Sequence, residues 1–144
     1  WVFSNFESAK KYAELFLKMN TFYFAGIHSA VMFRTVGDTL RYALEKGYIS
    51  EGDLYATDEE VLDKIRQNLN DGRLKLLFDR MNNKVEFKED FQDYDAHVFC
   101  KSRIVDPLFK DKEGIKRISE ADNEWKEIIT REMRPKEYFI KFER

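Results

Sequence analysis

Hydrophobic and polar positions along the 144 residues change period once, and the change divides the chain. Ser4 followed by Glu7 has the spacing of a capping box. Tyr12, Leu15, Phe16, Met19 and Phe22 or Tyr23 then recur at helical intervals, so a helix is predicted to begin near Asn5. The same period runs on through Ile27, Val31, Val36, Leu40 and Leu44, with Gly47 placed as a stop and Gly26 as a bend, giving one long helix or two. Leu54 and Tyr55 fall in a short connector. Thr57 and Glu60 form a second capping box before a helix whose buried stripe is Val61, Leu62, Ile65 and Leu69. Asp71-Gly72 marks a turn into a further helix with Leu74, Leu76, Leu77 and Met81, ending at Asn82-Asn83.

Beyond this point the pattern is that of half-buried strands. Lys84 to Phe87 and Ala96 to Ile104 are rich in Val, Ile and Phe with alternating polar positions, and Asp106-Pro107 closes the second run. Ser119 with Asp122 is placed to cap a helix carrying Trp125, Ile128 and Ile129, and Tyr138 to Phe142 alternates as a last strand. The predicted class is α+β: a helical region, 1–82, followed by a small α+β region, 83–144, in which an antiparallel sheet is covered by one helix. The acidic stretch Glu86 to Asp95 reads as the loop and boundary between them. Six Gly and two Pro agree with few tight turns and a bias to helix.

Charge and rare residues narrow the chemistry. Lys and Arg total 25 against 27 Asp and Glu, a net charge of −2, so no basic field exists to draw in nucleic acid or anionic lipid. One Cys cannot form an internal disulfide or a thiolate zinc site, and Cys100 has the setting of a buried strand thiol. No apolar run reaches the roughly 18 residues of a membrane span, and no pattern of a signal peptide is read at the start, so a soluble, cytoplasmic protein is the expectation. Only two His are present, His28 and His97, one in each half, so no His-rich metal site is expected here. The chain opens on Trp1 rather than Met, as a fragment or processed product would.

The remaining candidates are contacts to an anion or substrate. His28, with Tyr23 and Arg34 within reach along a helix, could meet a phosphate or ribose; a histidine satisfied by a neighbour explains it as well. For His97, on a predicted strand, a cross-strand hydrogen bond is as good an explanation as any ligand role. Lys101 and Arg103 alternate onto one face of a strand, where two cations could meet a phosphate or carboxylate, or pair with acids of the 86–95 loop. Arg117 beside Ser119 could add an anion contact near a helix start, although Ser119 as an ordinary cap accounts for the same residues. The acids of Tyr55 to Asp63 sit where a helix dipole favours them.

Three stretches in order carry a family resemblance: Tyr12 to Leu44 (YAELFLKMNTFYFAGIHSAVMFRTVGDTLRYAL); Asp53-Leu54-Tyr55 with Thr57 to Ile65 (TDEEVLDKI); and Lys101 to Pro107 (KSRIVDP) with Arg117 to Asp122 and Tyr138 to Phe142. Together they resemble the region that follows the catalytic HD domain in HD-domain phosphohydrolases related to the deoxynucleotide triphosphohydrolases. The resemblance implies a parent enzyme that hydrolyses phosphate esters or anhydrides with a divalent metal held by His, a His-Asp pair and a distant Asp. No His-Asp dipeptide occurs here, so those ligands are expected upstream of Trp1, in an HD domain of the same protein. By the same resemblance Tyr23 and His28 fall near a pocket-lining helix, while Met19 stands where the family has a basic residue and Phe24 and Ile27 replace polar contacts. Lys101, Arg103 and Asp106 match the tail motif. The chain is thus expected to be inactive alone, completing a pocket wall or oligomer contacts. The alternative is a self-contained binding or oligomerisation module, with a homo-oligomer possible in either case.

Overall fold

The computed structural model describes residues 1–143 and has the α+β class that the hydrophobic periods predict. The helical first half comprises α1 (Phe6–Met19), α2 (Ile27–Glu45), α3 (Asp58–Arg66) and α4 (Gly72–Met81), and the short helices α5 (Ile118–Ala121) and α6 (Asn123–Glu132) come later. Six short strands complete it: β1 (Val2–Phe3), β2 (Phe87–Glu89), β3 (Ala96–Cys100), β4 (Leu108–Lys110), β5 (Ile115–Arg117) and β6 (Lys136–Phe142). They form two three-stranded sheets, ordered β1-β4-β5 and β2-β6-β3. β4 and β5 pair antiparallel, as do β2 and β6, whereas β1 joins β4 in parallel with Val2 opposite Leu108.

Local capping chemistry sets most helix ends. Thr57 and Glu60 close the predicted box on α3, with the Thr57 amide donating to the Glu60 carboxylate at 3.0 Å. Asp71 caps α4 by accepting from the Arg73 and Leu74 amides at 2.9 and 3.1 Å. Gly47 takes φ +71°, which ends α2 while the Tyr48 amide returns to the Ala43 carbonyl at 2.9 Å. Two caps differ from expectation. The cap of α1 is Asn5, whose side chain accepts from the Ser8 amide, rather than Ser4. Asp122, not Ser119, caps α6 by accepting from the Trp125 amide at 3.1 Å. Ser119 is held elsewhere, its amide and hydroxyl both donating to the Asp106 carboxylate.

By packing, the chain divides into two compact units that interleave along the sequence: Trp1–Ala30 with Phe99–Tyr138, and Val31–Val98 with the chain end from Phe139. The first unit is built around Ala9, Ala13, Phe109, Ile118 and Trp125, with Phe3, Phe6 and Leu17 packed on them. Two alanines on the buried side of α1 leave room for the indole of Trp125, whose Nε1 donates to the Val105 carbonyl at 3.3 Å. The large side chains predicted to form the stripe of α1 point the other way: Tyr12, Leu15, Met19 and Phe22 are 45, 58, 40 and 64% exposed. Helical spacing identifies a face; it does not say which of two faces is covered.

The second unit centres on Ala43, Ile49, Ile65, Leu74 and Phe78. Asp71 serves it twice, since its other carboxylate oxygen accepts from the Tyr42 and Tyr48 hydroxyls, each at 3.0 Å. Thr35 and Thr39, both buried within α2, are satisfied by donating to carbonyls four residues back at 2.8 Å. The Arg80 guanidinium lies 4.3 Å from the ring centroid of Phe142.

Two outcomes are expected from these contacts. Trp125→Ala empties the centre of the first unit and should cost about 3–5 kcal/mol in denaturant unfolding. A cost below about 1 kcal/mol would show that the indole is not what fills that core. In the second unit, the hydrogen bond from Lys64, at 2.6 Å, followed by those from Ser50, holds the Asp53 carboxyl at about 2, below its ordinary value of 3.8. A lowered folded-state value means the contribution is fully present above the unfolded value and lost as pH falls through the folded one. The gap in unfolding midpoint between wild type and Asp53→Asn should therefore narrow between about pH 4 and about pH 2; a gap that stays constant would remove Asp53 from the acid response.

Candidate functional site

Two of the predicted residues, Lys101 and Arg103, come together in the first unit, where the chain leaves β3. The strand expected to run to Ile104 ends at Cys100, so Lys101 and Arg103 stand on a loop rather than on a sheet edge. The residue between them, Ser102, is buried, while Lys101 and Arg103 are exposed. Neither cation has an ion-pair partner among the described residues. The expected alternative of pairing with acids of the 86–95 stretch is not what they do: Asp93 and Asp95 face Lys141, at 2.9 and 3.6 Å, and Asp90 faces Lys88 at 3.7 Å.

Lys101 and Arg103 line an open groove of about 610 Å³ with Phe16, Ile104, Val105 and Met133. Two positive groups beside an apolar wall suit an anion carrying an apolar or planar body. Asp106 borders the same groove, but its carboxylate is committed to Ser119, whose hydroxyl donates to it at 2.6 Å. In a smaller cleft of about 270 Å³ beside α1 and α6, Lys10 is held by Asp122 at 2.7 Å, and Lys18, Glu14 and Glu124 also border it.

The loop is tied down by Asn20, which no motif in the sequence singled out. After α1 the backbone makes a π-turn over Asn20–Phe24, in which the Ala25 amide donates to the Asn20 carbonyl at 2.7 Å, five residues back. Asn20 is fully buried. Its Oδ1 accepts from the Arg103 amide at 3.1 Å and its Nδ2 donates to the Ser102 hydroxyl at 2.9 Å. A backbone amide can only donate, so the orientation of the carboxamide is dictated by its partner. Ser102 then donates onward to Glu132 at 3.4 Å. The available signal in the sequence was position: Asn20 continues the buried series of Ala9, Ala13 and Leu17, a polar residue on a buried helix face.

The other predicted residues are not brought to this groove. Tyr23 lies exposed in the π-turn, its carbonyl accepting from the Ser29 hydroxyl. His28 is exposed in the first turn of α2, beyond the break at Ala25 and Gly26, so of the one long helix or two the structure has two, and Tyr23 and His28 do not share one. Arg34 is engaged with Asp38 at 2.7 Å. Arg117 ends β5 and donates to the Asp106 carbonyl at 3.2 Å, outside the lining of the groove. The ring of His97, on β3, stacks on that of Phe139 at 4.3 Å and 10°. Cys100 is buried, and desolvation pushes its thiol up, away from nucleophilic character. Among the described residues no group of three or more His, Cys, Asp or Glu side chains is placed to hold a metal.

No family model matches the chain, and no solved structure matches it. Over 111 residues, 76% of the chain, it is 31% identical to YdhJ, an uncharacterized protein of Bacillus subtilis (strain 168). The match covers 34% of that protein, so the chain spans about a third of the length of the curated relative it matches.

Because Lys101 and Arg103 are exposed and make no ion pair among the described residues, they contribute little to folding. Their joint replacement by Ala should leave the thermal midpoint within about 2 °C of wild type. A larger fall would assign the pair to the fold rather than to a ligand.

Proposed function

We propose that this chain is the accessory part of a larger HD-type phosphohydrolase acting on nucleotides or other phosphate esters. It is inactive alone and completes a pocket wall or oligomer contacts for an HD domain of the same protein. The observation that carries the reading is the Lys101 and Arg103 pair, without ion-pair partners among the described residues, lining a groove with an apolar wall on the KSRIVDP stretch that resembles the family tail. Phosphate recognition needs charge that is not already neutralised, on backbone that does not have to be ordered on binding. The divalent metal such hydrolysis uses would be held outside this chain, and its water activation is not a step these residues perform.

A second reading rests on a different observation. Tyr12, Leu15, Met19 and Phe22 form an exposed apolar line along α1 and into the π-turn, which suits a binding or oligomerisation module with no catalytic parent. The exposed line fits both readings, because an HD domain would also cover it. The groove favours the first.

The purified chain supplied with Mn²⁺ and a panel of nucleoside triphosphates should release no phosphate above a protein-free control. Turnover by the chain itself would overturn the accessory assignment. Reading the frame on the 5′ side of the Trp1 codon separates the two proposals: an H…HD…D order supports the phosphohydrolase, and an unrelated sequence supports the module.

A further inference from the structure

We infer that Asn20 is the positioning residue of the anion site, so that the π-turn after α1 and the Lys101–Arg103 loop form one conformational unit that an anion tightens. The inference rests on the anion reading of that loop and goes beyond it, since it makes a residue that touches no ligand set the affinity.

The physical basis is the placement of one buried carboxamide. Asn20 reaches across 82 positions of sequence to Ser102 and across 83 to the Arg103 amide, binding the two residues on the inner side of the cationic stretch. Ser102 is buried and held by Asn20 while Lys101 and Arg103 on either side of it are exposed, and all three border the groove. A loop free to rotate would have to be ordered by the ligand, and the ordering would be subtracted from the affinity. Fully buried, the carboxamide has no water to replace these partners, so the choice is between the bonded arrangement and an unsatisfied polar group.

The turn that presents Asn20 is itself constrained. A Cβ on Gly26 would lie 2.7 Å from the Phe22 carbonyl oxygen and 3.0 Å from that of Thr21, so the backbone closes on itself where only glycine fits. From the far side, the Tyr138 hydroxyl donates to the Ala25 carbonyl at 2.7 Å. Asn20 is thus delivered by a turn fixed at both ends. Movement of the loop is felt at the π-turn, and the turn in its relaxed form holds the loop ready.

The test uses the whole chain with inorganic tripolyphosphate as probe, measured by isothermal titration calorimetry at a temperature where each protein is folded by circular dichroism. Wild type should bind, and Lys101→Ala with Arg103→Ala should lose most of that binding. Asn20→Leu, close in size but without polar atoms, should weaken binding about tenfold or more while leaving both cations in place, equivalent to about 1.4 kcal/mol. Ser102→Ala, which removes one of the two bonds and is the milder change, should lose several-fold and carries the test if Asn20→Leu does not fold. Hydrogen exchange supplies the readout that a merely structural asparagine would not move: tripolyphosphate should slow exchange at the Arg103 amide and across Asn20–Ala25 in wild type, and not across that turn in Ser102→Ala. If both variants bind as wild type does, the positioning role is wrong and the anion site stands. If the double cation variant binds undiminished, or wild type does not bind, the anion reading fails and the inference fails with it.

Discussion

α1 is packed through its smallest side chains, and the geometry of the first unit follows from that choice. Ala9 and Ala13 let the helix axis approach the indole of Trp125 closely, and the next residues on that face, Leu17 and Asn20, are brought to the level of the loop after β3. Had larger residues occupied the buried face, the helix would stand off by a side-chain layer and the Asn20 carboxamide would fall short of Ser102. The same choice explains the outer surface. An amphipathic helix that buries alanine must show its aromatic and long aliphatic residues to solvent, which is the arrangement of Tyr12, Leu15 and Met19.

Burying an amide is costly unless each polar atom finds a partner. Asn20 finds two, one of them a backbone N–H that itself would be left unsatisfied without it. Each such bond is worth on the order of 1 kcal/mol net, so the clasp adds little to the stability of the fold beyond offsetting its own burial. What it supplies is specificity of conformation. An apolar residue at position 20 could fill the space, but it would not choose between one path of the 101–103 backbone and another.

How much of this was legible in the sequence depended on distance along the chain. Thr57 with Glu60, Asp71 before Gly72 and the stop at Gly47 act within one turn, so a local pattern was sufficient to place them. The period change after Asn83 likewise gave the α+β class. Pairings such as Val2 with Leu108, or Asn20 with Ser102, join residues that share no local pattern, and the three-residue strands β4 and β5 are too short for alternation to be visible. The face of α1 was misjudged for a related reason: hydrophobicity ranks residues by what burial gains, whereas close packing selects them by what fits. His28 and Tyr23 looked joined because the period continues through Gly26, yet the π-turn inserts a phase shift that a regular helix does not have.

Solvation sets the state of the two cations at the groove. Lys101 and Arg103 are exposed, and among the described residues no ion pair holds them. Their location is set from beneath, by Ser102, rather than by any attraction between themselves and an acid. On the anion reading proposed above, a multivalent anion in the groove can meet both cations. A monovalent carboxylate can neutralise only one of them and leaves the other facing water. On that reading the groove favours charge number as well as sign, which is the distinction between a polyphosphate and a carboxylate.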